Sequence, residues 1–170
     1  MRFAALAAPL AILFIAGGCQ KASAPESPIC VRVPEIAVEG RVTDAANILS
    51  EEVEQQLSER LAAYQRRTTH QLVVATTDAL NGAEPIEFAT CLGRRWAIGD
   101  AKRNDGMLIL VAPNERQAAV AVGDGLEKAL TDVEAKAVIE DMIPSFQKND
   151  YASGLRIGID AIAAQTGDAK

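Results

Sequence analysis

Apolar residues recur every three or four positions in four stretches of the chain, and this spacing predicts four amphipathic helices. The first helix has Ser50 as its N-cap and ends near Arg67. The second begins at Pro85, which suits a first helical turn, and is closed by Gly99. The predicted inward residues are Val53, Leu57, Leu61 and Tyr64 in the first helix, and Ile86, Ala89, Leu92 and Trp96 in the second.

The two remaining helices lie in the C-terminal part of the chain. The third opens with a T-x-x-E capping box that starts at Thr131, and Pro144 is expected to end or kink it. The fourth runs from about residue 150 to 164 and carries Gly154 and Gly158 on its apolar stripe. This small-x-x-x-small spacing predicts close packing against another helix, because charged residues in the same segment exclude a bilayer helix.

Two continuous apolar runs, residues 72–75 and 107–112, predict buried strands. A helix separates them, so the strands should be parallel with a right-handed crossover. A third run, residues 118–122, follows a four-residue polar turn and predicts a hairpin with the second run. The elements together predict an α/β fold, namely a three-layer α/β/α sandwich with a small mixed sheet and helices on both faces.

Acidic residues flank the open end of this hairpin. If Ala112 pairs with Gln117, the register brings Asp105 opposite Asp124 at one edge of the sheet. Facing Cβ atoms lie roughly 5 Å apart, so two carboxylates there call for a cation, a proton or a separation by loop geometry. Glycine-rich acidic loops suit Ca²⁺ or Mg²⁺, which makes both residues candidate metal ligands. The alternative is a pair of solvated Asp-Gly turns.

The opposite edge of the sheet is a second candidate location, because ligands of open α/β sheets usually bind beyond the carboxyl ends of parallel strands. Asp78 and the 114–116 turn belong to it, and Asp44 is expected there unless the following loop carries it elsewhere. His70, the one histidine, precedes a strand, where a structural or surface role is commoner than a catalytic one. The sequence has no nucleotide-binding glycine motif, so no nucleotide cofactor is predicted.

The N-terminus predicts export. Residues 1–18 combine Arg2, an apolar run and small residues before Cys19, which is the pattern of a lipoprotein signal peptide. Lipidation of Cys19 would anchor the protein to a membrane, and the alternative is an ordinary signal peptide cut nearby. Gln20 in place of an aspartate favours the outer membrane and its periplasmic face.

The rest of the chain divides into three predicted parts. Residues 19–37 are rich in proline, serine and alanine and are predicted to be a flexible tether. Residues 38–166 form the domain, and residues 167–170 a tail. Cys30 and Cys91 are an even pair in an exported chain, which predicts a disulfide, with two buried thiols as the alternative. The net charge of −6 argues against nucleic acid as a partner.

Five stretches, in this order, resemble the TPM domain family: GRVTDAANILS from residue 40, HQLVVATT from 70, GRRWAIG from 93, NDGMLILVAPNER from 104 and VGDGLEKALTD from 122. The resemblance covers nearly all of residues 38–165. It implies an α/β/α sandwich, export, and attachment to or action beside a membrane. Asp44 matches the family's V-x-D and Asp105 its acidic-Gly strand entry, whereas Asp124 stands inside the G-x-G-L-E motif where an aromatic residue is usual.

Members of this family have been linked to acid phosphatase activity, to divalent-cation binding and to the assembly or repair of membrane complexes. The resemblance therefore implies two hypotheses. The first is a lipid-anchored, non-enzymatic module that assists a membrane protein complex, with weak Ca²⁺ or Mg²⁺ binding at Asp105 and Asp124. The second is a metal-dependent phosphatase of phosphomonoesters, in which a cation held by Asp44, Asp105 or Asp124 positions water. Whether the chain is an enzyme stays open.

Overall fold

The computed structural model describes residues 28–167. A 3₁₀ helix spans Pro28–Arg32, and the other elements follow in the order β1 Val42–Asp44, α1 Glu51–Thr68, β2 Gln71–Thr76, α2 Pro85–Arg95, β3 Gly106–Ala112, β4 Gln117–Val122, α3 Asp132–Phe146 and α4 Tyr151–Gln165. The predicted α/β fold is confirmed, with helices on both faces of a four-stranded mixed sheet.

The sheet has the strand order β1-β2-β3-β4. Its first three strands are parallel, and β4 pairs with β3 in the antiparallel direction. The predicted hairpin register is confirmed, because Met107 pairs with Val122 and Ala112 pairs with Gln117. Strand β1 was not predicted, since three residues are too few to produce a periodic pattern.

Successive residues of a strand point to opposite faces of a sheet, so the continuous apolar runs of β2 and β3 supply two cores. One core lies between the sheet and α1, α3 and α4, and it includes Leu61, Val74, Ile109, Met142 and Ile159. The other lies between the sheet and α2, and it includes Cys30, Val73, Phe88, Leu92 and Leu110. Burial on both faces explains why neither strand alternates between apolar and polar residues.

One inward position of the helix predictions was wrong. Ile86, predicted to face inward, is 49% exposed. Ile86 lies about 200° around the helix from Phe88. Because Phe88 is buried, Ile86 faces solvent. Helix α3 continues past Pro144 to Phe146, so the proline does not end it. Its capping box at Thr131 is present as predicted.

The close packing predicted for the last helix is confirmed. A Cβ atom added to Gly154 would lie 2.3 Å from Cε1 of Phe146, and one added to Gly158 would lie 2.4 Å from Sδ of Met142. Both distances are far below van der Waals contact. Helix α4 therefore approaches α3 at a distance that only glycine allows at these two positions.

The N-terminal part of the described chain packs against α2. Cys30 and Cys91 form the predicted disulfide, with their Cα atoms 5.5 Å apart. The Arg95 guanidinium donates hydrogen bonds to the carbonyl oxygens of Cys30, Val33 and Pro34 at 2.7, 2.6 and 3.1 Å. Trp96 Nε1 donates to the carbonyl oxygen of residue 36 at 2.9 Å.

Residues 28–36 are thus part of the folded domain, although the sequence assigned them to the flexible tether over residues 19–37. Buried side chains in this segment and its bonds to α2 explain the difference. The predicted signal peptide, the predicted lipidation site at Cys19 and the last residues of the tail lie outside the described residues. Across residues 28–167, none of the helices is both long and apolar enough to cross a membrane.

Candidate functional site

Asp105 lies at the edge of the sheet where β3 begins, and its side chain is only 2% exposed. Its Oδ1 accepts a hydrogen bond from the backbone N–H of Asp100 at 2.8 Å. Its Oδ2 accepts one from Arg103 Nε at 2.7 Å and lies 3.0 Å from His70 Nδ1. An ionised carboxylate can only accept, so the Nδ1 atom of His70 carries the proton in this contact.

The pKa of Asp105 is lowered from 3.8 to about 2, and this is the net result of two opposing effects. Burial favours the neutral acid and raises the pKa. The hydrogen bonds from the Asp100 backbone, His70 and Arg103, together with the Arg103 charge, lower it by more. The carboxylate is therefore ionised at neutral pH, and it ties the loop before β3 to the end of α1 and to the start of β2.

Asp100 continues this network on the solvent side of the loop. Its Oδ1 accepts hydrogen bonds from the backbone N–H groups of Lys102 and Arg103, both at 3.0 Å. The pKa of Asp100 lies below its usual value because of these bonds, with that from Arg103 contributing most. Both carboxylates of the 100–105 loop thus fix its backbone.

Glycines at this edge allow three backbone segments to stack. A Cβ atom on Gly106 would lie 2.2 Å from the carbonyl oxygen of Ile98. On Gly123 it would lie 2.3 Å from the carbonyl oxygen of Asn104, and on Gly125 it would lie 1.9 Å from that of Arg103. The glycines around the two acids are therefore required by close backbone approach. Hydrogen bonds from Gly123 N to Gly106 O and from Gly125 N to Asn104 O hold the segments together.

The structure separates the two acids that the hairpin register brings to this edge. Asp105 points inward and pairs with Arg103, whereas Asp124 is exposed. Like-charge repulsion is thus relieved by a protein cation and by loop geometry. Both oxygens of Asp105 already accept hydrogen bonds, so the carboxylate does not suit a Ca²⁺ or Mg²⁺ ion without the loss of those bonds. Within residues 28–167, no group of three or more His, Cys, Asp or Glu side chains could hold a metal ion.

Asp44, the third candidate ligand, lies at the opposite edge of the sheet, at the end of β1. Its Oδ2 accepts a hydrogen bond from the backbone N–H of Leu49 at 2.7 Å, and its Oδ1 accepts one from Thr76 Oγ1 at 2.6 Å. Glu115 at the same edge accepts from the backbone N–H of Leu80. The structure therefore does not bring Asp44 together with Asp105, and the acids of both edges hold loops.

The contact between His70 and Asp105 was missed from the sequence. The strand register contains a signal for it, because Gln71 pairs with Gly106 and the residues preceding each lie side by side. The structural role predicted for His70 agrees with this contact. Its side chain is 25% exposed, so one ring edge faces Asp105 while part of the ring remains accessible to solvent.

A cleft of about 340 Å³ opens beside this edge, between the end of α2, the 97–104 loop and the hairpin. We call it the amino-edge cleft. Apolar parts of its wall come from Ile98, Leu108 and Ala121, and charged parts come from Arg94, Asp100 and Asp124. A smaller cavity of about 170 Å³ shares Thr90 and Arg94 with it and reaches the disulfide. The amino-edge cleft thus combines apolar walls with charges of both signs.

The fold and the loop-fixing carboxylates define a small α/β/α domain with a glycine-lined cleft at one sheet edge. Residues 42–165 match the TPM domain family, and the chain belongs to that family. No curated protein sequence matches the chain.

Several solved structures are similar to the chain. The N-terminal domain of a P. gingivalis protein is 31% identical, with a TM-score of 0.68 over 74% of this chain and 81% of that one. The N-terminal domain of a Corynebacterium glutamicum protein is 15% identical, with a TM-score of 0.62 over 81% and 86%. A Bizionia argentinensis protein is 16% identical, with a TM-score of 0.62 over 71% and 83%. The last two similarities support the fold alone.

Proposed function

We propose that this protein is an exported, lipid-anchored TPM module that binds a membrane protein or complex on the periplasmic face and is not an enzyme. One observation carries the non-enzymatic part. Two of the three acids that the sequence offers as candidate ligands, Asp44 and Asp105, accept hydrogen bonds from backbone N–H groups, as does Asp100, and the third, Asp124, is exposed. Carboxylates used in this way order loops, and a single remaining exposed carboxylate is a weak site for a divalent cation.

The anchored part of the proposal depends on Cys19 and on the way the chain enters the fold. A lipid on Cys19 would connect to the domain through residues 20–27, which are mostly small and polar and include one proline. The Cys30–Cys91 disulfide and Arg95 join the first described residues to α2. A force exerted through the tether would therefore be transmitted to a helix that packs on the core. The disulfide closes a separation of 61 residues, for which chain entropy gives about 4 kcal/mol of stabilisation.

The test combines a lipidation-blocking variant with in-cell crosslinking. Cys19→Ser should move the protein from the membrane fraction to the soluble periplasmic fraction and abolish crosslinks to membrane proteins. Ser23→Ala, in the same segment, is the matched control and should leave both unchanged. Membrane association and crosslinks that survive Cys19→Ser would overturn the anchored part of the proposal.

The competing function is a metal-dependent phosphatase of phosphomonoesters, which the family resemblance implies. It is tested with a phosphomonoester assay on the purified full chain, with and without a chelator. We expect no hydrolysis above the buffer rate under either condition. Hydrolysis that the chelator removes, and that Asp105→Asn or Asp44→Asn abolishes in a folded variant, would overturn the non-enzymatic proposal.

A further inference from the structure

Two opposite charges in the amino-edge cleft have no partner among the residues that the structure describes. Arg94, near the end of α2, and Asp124, in the loop after β4, both line the cleft and are both exposed. Among residues 28–167, neither side chain makes a hydrogen bond or an ion pair, and the two do not pair with each other. Their neighbours differ in this respect, because Arg95 binds carbonyl oxygens of the N-terminal segment and Arg103 binds Asp105.

The wall of the cleft also includes apolar groups. Ile98 and Ala121 are partly buried cleft residues on the α2 face of the sheet, and Leu108 also lines the cleft. The volume of about 340 Å³ lies at the lower end of the range for small-molecule sites. The cleft therefore offers a cation, an anion and an apolar surface to a ligand of modest size.

The charge pattern is selective. A phosphate or another simple anion at Arg94 would share the cleft with the negative charges of Asp124 and Asp100, and a simple cation at Asp124 would share it with the guanidinium of Arg94. A molecule that carries both charges meets an opposite charge at each end. Arginine binds carboxylates through two parallel N–H bonds, and an aspartate oxygen accepts readily from an ammonium group.

We propose that the amino-edge cleft binds a small zwitterion with an apolar side chain, of the amino acid or short free-ended peptide class. Its carboxylate pairs with Arg94, its ammonium group pairs with Asp124, and its side chain contacts Ile98 and Ala121. The two charged residues are held on ordered backbone, since Arg94 belongs to α2 and the hydrogen bond from Gly125 N to Asn104 O fixes the loop of Asp124. Such binding does not depend on the lipid anchor, so either proposal can fail without the other.

The test is calorimetric titration of the full chain with four probes: L-leucine, L-leucyl-L-leucine, N-acetyl-L-leucine and L-leucinamide. The last two each lack one charge. At least one of the two zwitterions should bind at least fivefold more tightly than both single-charge analogues. Tighter binding of L-leucine would indicate an amino acid ligand, and tighter binding of L-leucyl-L-leucine would indicate a peptide. Equal affinities for all four probes, or no binding of either zwitterion, would overturn the proposal.

Two variants assign the ends of the ligand. In Arg94→Gln, the zwitterion should lose its advantage over L-leucinamide, and in Asp124→Asn it should lose its advantage over N-acetyl-L-leucine. Arg66→Gln and Asp141→Asn are exposed charge changes away from the cleft and serve as matched controls. Because all four positions are exposed, thermal unfolding should be unchanged. An advantage that both cleft variants retain would place the ligand elsewhere.

Discussion

Replacement of Asp105 by asparagine should destabilise the domain by about 2 to 3 kcal/mol at neutral pH. Asparagine has nearly the same shape, and its carbonyl oxygen can still accept from the Asp100 backbone. It has no charge, and it places an NH₂ donor where Arg103 and His70 already donate to Oδ2. The change therefore removes the charge-dependent part of the network and leaves the packing intact.

The magnitude follows from the carboxyl pKa, which falls from 3.8 to about 2 on folding. That difference corresponds to about 2.5 kcal/mol of stability for the ionised group. The carboxylate is 2% exposed, so solvent screening reduces this value little. For a domain of this size, the midpoint of thermal unfolding should fall by roughly 6 to 10 °C.

The pH dependence has a defined sign. A depressed carboxyl pKa contributes stability that is complete above the unfolded value and is lost as the pH falls through the folded value. The difference between wild type and Asp105→Asn should therefore be constant from about pH 7 to pH 5 and should shrink between about pH 4 and pH 2. Below that range the charge of Asp105 no longer distinguishes the two proteins.

The assay is urea unfolding followed by far-ultraviolet circular dichroism between pH 7 and the lowest pH at which both proteins fold. Asp124→Asn is the matched control and should change the free energy of unfolding by less than about 0.5 kcal/mol, because Asp124 is exposed and unpaired within the described residues. The reasoning would be refuted if Asp105→Asn lowered the free energy of unfolding by less than about 0.5 kcal/mol. It would also be refuted if the stability difference between wild type and Asp105→Asn did not shrink below about pH 4.

Three further predictions concern stability and share urea unfolding as the measurement. Reduction of the Cys30–Cys91 disulfide should lower the free energy of unfolding by up to about 4 kcal/mol, and an unchanged midpoint with reductant would contradict this. Gly125→Ala should cost more than about 2 kcal/mol because its Cβ would lie 1.9 Å from the Arg103 carbonyl oxygen. The control Gly93→Ala, whose Cβ would meet nothing closer than 3.9 Å inside a helix, should be neutral or stabilising by up to about 1 kcal/mol. Thr131→Ala should cost about 1 kcal/mol through loss of the capping box, and no change would mean that the cap does not contribute in solution.

Local and periodic signals explain the part of the fold that the sequence predicted correctly. The register of the hairpin follows from apolar runs on both sides of a short turn, and the small residues of α4 follow from helical spacing. The disulfide follows from an even cysteine pair. Each of these signals lies in a few neighbouring residues or in a simple count.

The remaining features depend on contacts between distant parts of the chain. Asp105 turns inward because His70, 35 residues earlier, and the Asp100 backbone lie beside it, and no local pattern specifies that direction. Residues 28–36 resemble a tether in composition, yet Arg95 binds them across more than sixty residues of sequence. The unpaired charges of the amino-edge cleft are visible only when all neighbours of Arg94 and Asp124 are known.

The fastening of residues 28–36 to α2 links the completion of folding to the oxidation state of the surroundings. Before the two cysteines are joined, this segment and the helix beneath it are held only by noncovalent contacts. If the chain is exported as proposed, it would cross the membrane without the covalent tie that makes the finished domain resistant to unfolding. The tie would form in the oxidising compartment, so the last step of maturation would take place where the protein works.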